Sequence, residues 1–170
     1  MPESTAGERE ARARLEAAID AHEAGSSSTV LVRPLRAGAR IPQAQTEHAS
    51  GLDLHACLED GPMTIGLEPV LVPTGLAMAV PPGIDAQIRP RSGLSSRGVL
   101  AILGTLDADY RGEIFVTLYC LPSAAPYEVQ DGDRIAQLVL TRLEPAAFIE
   151  VEALDDTARG AGGHGSTGTR

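Results

Sequence analysis

The chain has no tryptophan, no lysine, and only three tyrosines and two phenylalanines among 170 residues. With so few rings, the core must be built from Val, Ile, Leu and Ala. Two cysteines, Cys57 and Cys120, are too few for a disulfide framework, and no CxxC or zinc-type spacing is present. They read as reduced thiols, as expected in a cytoplasmic protein. No apolar run approaches the roughly 20 residues needed to span a bilayer, and no signal-peptide core is visible. His22, His48 and His55 show no metal-binding spacing to one another. The formal net charge of −9 argues against nonspecific binding to nucleic acid or to an anionic membrane surface. All 14 basic residues are arginine, so contacts to an anion fall to guanidinium forks or backbone N–H groups.

What the chain does have is turns. Gly 18 and Pro 12 favour many short strands over a helical bundle. Three regions follow from composition. Residues 1–28 are rich in helix formers, with Glu8–Arg12 and Glu10–Arg14 at i,i+4 and a narrow stripe of Ala11, Leu15, Ala18 and Ile19. This extension is either a helix that docks on a partner or on its own oligomer, or a frayed or disordered segment, ended by Gly25-Ser-Ser-Ser28. Residues 29–154 read as an all-β core. Strands are expected at Thr29–Pro34, Gly51–Cys57, Met63–Leu67, Pro69–Pro73, Gly75–Val80, Ile84–Arg89, Ile114–Tyr119, Tyr127–Val129, Ile135–Leu140 and Ala147–Val151. That spacing suggests a sandwich, barrel or jelly roll. Residues 155–170 are glycine-rich, with almost nothing to bury, and are expected to be mobile in isolation.

Four stretches could carry chemistry. Gly104-Thr-Leu-Asp-Ala-Asp-Tyr-Arg-Gly-Glu113 reads as a strand running into a tight turn, with acids at the mouth of the buried run that follows. Pro90-Arg-Ser-Gly-Leu-Ser-Ser-Arg-Gly98 offers a guanidinium, a hydroxyl and a close-approach glycine; a helix beginning near Leu94 would add polarity favourable to an anion. Asp131-Gly-Asp-Arg-Ile-Ala-Gln137 sets Gln137 on one face with Ile135 and Val139, where a half-buried amide needs partners. Arg159-Gly-Ala-Gly-Gly-His-Gly-Ser-Thr-Gly168 combines an arginine with glycines that let amides converge. A metal, if one takes part, should be magnesium with oxygen ligands and phosphates.

Taken in order, Ser50-Gly-Leu-Asp-Leu-His-Ala56, Pro90–Leu94, Gly104–Glu113, Gly132–Leu138 and Arg159–Gly168 resemble the five motifs of the trimeric deoxyuridine triphosphatase (dUTPase) family, over about residues 29–170. The resemblance implies a dUTPase-like β jelly roll (β-clip) forming a homotrimer with shared active sites. The implied reaction is hydrolysis of dUTP to dUMP and pyrophosphate with Mg2+, serving nucleotide-pool sanitation and dUMP supply. By position, it implies that Asp107 activates water and that Asp53 holds Mg2+ through water. Arg91, Ser92, Gly93 and Gln137 correspond to phosphate contacts, and Ala101, Gly104, Thr105 and Leu106 to uracil contacts. Tyr110 corresponds to the ring that packs on deoxyribose. Arg159, His164, Gly165, Ser166 and Thr167 correspond to a lid over the nucleotide, Arg159 on the γ-phosphate. Two departures stand out: His164 replaces the usual phenylalanine, and the hairpin Gly98–Gly104 is short. Asp109 and Arg111 are read as shaping the turn. The alternatives are a dCTP deaminase-like or bifunctional enzyme, and a non-catalytic regulatory module of the same fold.

Overall fold

The computed structural model describes residues 6–23 and 29–162. Two four-stranded antiparallel sheets hold the core, as the all-β reading expects. One has the order β1 (Leu31–Pro34), β4 (Val70–Ala79), β8 (Glu113–Cys120), β6 (Val99–Ala101). The other has the order β2 (Leu52–His55), β10 (Arg134–Arg142), β5 (Ile84–Arg89), β7 (Gly104–Leu106). A small pair joins β3 (Met63–Ile65) to β9 (Tyr127–Val129). Alternation explains which face is buried. In β8, Ile114, Val116, Leu118 and Cys120 are buried while the residues between them are not. They meet Leu54, Ala86, Ile88, Ala136 and Leu138 in one core cluster. That core contains no ring, consistent with the near absence of aromatics.

Strand β4 is continuous where the sequence suggested two strands. Its register to β8 jumps from Pro73↔Phe115 to Ala77↔Glu113, so Thr74, Gly75 and Leu76 bulge out opposite Ile114. Thr74 donates its hydroxyl to the Ile114 carbonyl at 2.7 Å, and Gly75 takes φ +67°. Pro73 sits at the start of this irregularity, one of the few places an inner strand tolerates proline.

One expectation needs correction. Ala147–Val151 forms no strand; Phe148 and Ile149 are 97% and 82% exposed. A strand exists only by pairing, and this segment finds no ladder partner among the described residues. The single-turn helix α2 spans Ser92–Ser95, a helix near Leu94 as expected. In the extension, α1 runs Ala6–Glu23. Arg14 pairs with Glu10 as expected; Arg12 pairs with Glu16 at 2.9 Å, and the Glu8 side chain of the expected Glu8–Arg12 pair lies outside the described residues. Both pairs are exposed and contribute little. Leu15 on the narrow stripe is more than half exposed. His22 Nδ1 lies 2.9 Å from the Thr29 carbonyl, the contact that ties the last turn of α1 to the chain entering β1.

Candidate active site

Strands β2, β10 and β5 place Asp53, Gln137 and Arg89 side by side, because Gln137 pairs with Asp53 on one flank and Arg89 on the other. Asp53 is 6% exposed and bridges two arginines: Arg91 Nε donates to Oδ1 at 2.9 Å, Arg134 Nη1 to Oδ2 at 3.2 Å. Arg91 Nη1 also donates to the Arg134 carbonyl at 3.1 Å. A buried carboxylate would be costly alone; here it is paired and serves to aim both forks. Gln137 Nε2 donates to the Pro90 carbonyl at 2.8 Å, which answers the expected need for an amide partner and ties the Arg91 turn to β10. Gly51 makes room for this amide, since a Cβ there would lie 2.0 Å from Gln137 Oε1.

Asp53, Arg91, Ser92, Gly93, Arg134 and Gln137 line one depression of about 410 Å³. The N–H groups of Ser92 and Gly93 stand in the first turn of α2, where no internal partner exists. Two guanidinium groups against one carboxylate leave a positive surplus, suited to an anion. His55, two residues from Asp53, registers the same field. Its pKa is lowered by burial first and then by Arg40, Arg134 and Arg91, against the pull of Asp53.

A second depression, of about 250 Å³, lies at β7 and the start of β8. Gly104, Thr105, Leu106, Asp107 and Tyr110 line it, with Ile88 and Phe115 as its apolar side. β7 is an edge strand, so the outer N–H and C=O groups of Gly104–Leu106 have no sheet neighbour. Asp107 follows directly and is exposed; its carboxylate has no hydrogen bond or ion pair among the described residues. Tyr110 keeps 44% of its surface exposed while its hydroxyl donates to the Glu113 carbonyl at 2.8 Å. Arg111 Nη1 donates to the Ala108 and Tyr110 carbonyls, the turn-shaping role expected of it.

The two depressions share no lining residue. Asp53 is on β2 and Asp107 follows β7, at opposite edges of one sheet. Three strand spacings, on the order of 14 Å, separate those edges. Ala101 lines neither depression; it is buried in the core on β6. Arg159 stands apart as well, donating Nε to the Gly162 carbonyl at 2.8 Å. His164, Gly165, Ser166 and Thr167 lie outside the described residues. Sequence reasoning passed over Arg134 and Gly51. Arg134 stands in the Asp131–Gln137 stretch, and its position just before an apolar run is the available signal. Gly51 gives none until Gln137 is seen beside it.

Comparison with known proteins adds the family. The dUTPase family model matches residues 37–168. Among solved structures, the dUTPase of Staphylococcus bacteriophage 80alpha with dUPNHPP aligns at TM-score 0.71 and 24% identity, covering 84% of this chain and 99% of that one. A second structure of the 80alpha dUTPase aligns at TM-score 0.65 and 22% identity, covering 76% and 100%. A mutant dUTPase from phage phi11 of S. aureus, described for its coordination of a structural Mg(II) ion, aligns at TM-score 0.64 and 22% identity, covering 74% and 97%. At these identities the structural likeness speaks to the fold.

Proposed function

Because this chain belongs to the dUTPase family and hydrolyses dUTP to dUMP and pyrophosphate, we propose a division of labour between its two depressions. The arginine-lined one takes the triphosphate, through Arg91, Ser92, Gly93, Gln137 and the previously unassigned Arg134. The one at β7 takes the nucleoside. Free edge groups of Gly104, Thr105 and Leu106 suit the donor and acceptor pattern of uracil, and the Tyr110 ring packs on deoxyribose, leaving no room for a 2′-hydroxyl. Asp107, at the mouth of this depression, accepts the proton of the water that attacks the α-phosphorus. Pyrophosphate leaves toward the guanidinium groups, which stabilise its developing charge.

One nucleotide must reach both depressions. The observation that carries the proposal is their placement at opposite edges of one sheet without a shared residue. A homotrimer joins the nucleoside half of one copy to the phosphate half of the next. The segment after β10 supports this, since its Phe148, Ile149, Val151 and Leu154 are all more than half exposed in a single chain. Leaving such side chains in water forgoes about 1.5–3 kcal/mol each. The tail, with Arg159, His164, Gly165, Ser166 and Thr167, closes over the nucleotide, with the His164 imidazole in the place of the usual phenylalanine.

Mg2+ is the cofactor of this hydrolysis. Among the described residues no cluster of three or more His, Cys, Asp or Glu side chains could cage an ion. That fits magnesium, which commonly keeps its waters and binds through one or two carboxylates and substrate phosphates. Asp53 is the carboxylate at hand. Its oxygens each retain an acceptor direction beyond the arginine bonds, so a bridging water can be added without breaking them. When bound, the ion neutralises and orients the triphosphate oxygens. In the cell, we assign the enzyme to the cytoplasm, keeping uracil out of DNA and supplying dUMP; the two free, buried thiols are in keeping with that compartment. No described helix is long and apolar enough to cross a membrane.

The test is a nucleotide panel with Mg2+, comparing wild type with Asp107→Asn. The variant should fold normally and lose about 100- to 10,000-fold in kcat on dUTP. Near-full turnover would remove Asp107 from the role of base.

A further inference from the structure

The turn that carries Asp107 and Tyr110 is braced in a way that hydrolysis itself does not require. The Tyr110 hydroxyl is held by the Glu113 carbonyl at 2.8 Å. Its ring lies against Gly112, where a Cβ would come within 2.4 Å of the hydroxyl oxygen and 2.7 Å of Cζ. Gly112 does not have the positive φ that favours glycine. Room for the tyrosine is therefore what the missing side chain provides. The Tyr110 N–H also donates to the Asp107 carbonyl at 3.0 Å, so ring and acid move as one turn.

The far end of the brace is the Glu113 side chain. At the β4 bulge the Gly75 N–H has lost its ladder partner, and Glu113 Oε1 accepts it at 2.9 Å. Glu113 Oε2 pairs with Arg36 Nη2. The residue before Arg36, Leu35, donates its N–H to the Gly75 carbonyl at 2.8 Å. These side chains are 14% and 24% exposed for Glu113 and Arg36, so the pair is partly shielded from water. One carboxylate thus ties the chain after β1 and the β4 bulge to the residue whose carbonyl pins the tyrosine.

We infer that Glu113, supported by Arg36 and Gly112, is a positioning residue that immobilises the Tyr110 ring and thereby sets the preference for deoxyribose over ribose. This rests on the reading of Tyr110 as the sugar gate. A steric gate discriminates only if it cannot yield. A ring free at its tip could swing aside for a 2′-hydroxyl, whereas one pinned at the hydroxyl and backed by Gly112 cannot.

The experiment measures kcat and KM for dUTP and UTP in wild type, Gly112→Ala, Tyr110→Phe and Glu113→Gln, with Tyr110→Ala as reference and Tm recorded for each. The ratio of kcat/KM for dUTP over UTP should fall about 10- to 100-fold in Gly112→Ala and Glu113→Gln, with KM for dUTP rising more than kcat falls. Tyr110→Phe, which removes only the pinning hydroxyl, should lower the ratio with little change in Tm. If Glu113→Gln fails to fold, Tyr110→Phe and Gly112→Ala still decide the matter. A lowered Tm with an unchanged ratio in all three would reduce the brace to a purely structural feature. If Tyr110→Ala loses the ratio while these three keep it, the positioning inference alone fails. If Tyr110→Ala also keeps it, the sugar-gate reading fails with it.

Discussion

Asp53 and Asp107 show how differently one residue type can be used. Asp53 is buried and held by two arginines, so its work is to aim them. Asp107 is exposed and without a partner among the described residues, which leaves it open to take a proton. Neither state is visible in the residue letter; it depends on neighbours that the fold brings from β5 and β10. Cys57 is a plainer case. Burial first, then Asp131, Glu59 and Glu113, push its thiol above the ordinary value of 9.0, with Arg36 opposing. The thiolate is the reactive form, so Cys57 should resist thiol reagents near neutral pH until the protein unfolds. The sign for stability follows: with the folded pKa raised, the thiol's contribution is intact below 9.0 and is lost as pH rises through the folded value. Labelling with a chromogenic disulfide, native against denatured, checks this. Rapid labelling of native Cys57 would contradict it.

Elements transmit these residue effects. The hydrogen bond from Gln137 to Pro90 links β10 to the turn that presents Arg91, and Gly51 on the approach to β2 leaves space for it. Gly51→Ala should therefore displace the amide and disturb Arg91 and Ser92. The expected cost is about tenfold or more in kcat/KM for dUTP, with a stability loss of about 1 kcal/mol, read by steady-state kinetics and thermal unfolding. Wild-type kinetics would show that the amide does not position the turn. At this scale the sequence was most readable where one face of a strand is buried. Alternation marks β2, β5 and β8, and β10 reads as an apolar run broken by Gln137. It was least readable where the partner lies far along the chain. The β4 bulge is closed by Glu113, 38 residues from Gly75, and no local pattern announces it. Ala147–Val151 has the composition of a strand and no ladder among the described residues. Arg134 was passed over for a similar reason: its value depends on Asp53, 81 residues away.

At the scale of the whole molecule, the described residues present two separate depressions and, after β10, an exposed apolar segment with Phe148, Ile149, Val151 and Leu154. Motif order was legible in the sequence; the separation of the motifs onto opposite edges of one sheet was not, because it depends on the strand order β2-β10-β5-β7. Whether active sites are shared between copies is therefore the central question. Mixing two inactive variants, Asp107→Asn and Arg91→Ala, through joint unfolding and refolding tests this directly. In a closed trimer with shared sites, about a quarter of the sites in an equal mixture should combine an intact Asp107 with an intact Arg91, and dUTP hydrolysis should return to a comparable fraction of wild type. Activity no greater than the sum of the two variants alone would mean that each chain builds its site unaided, and would contradict shared active sites.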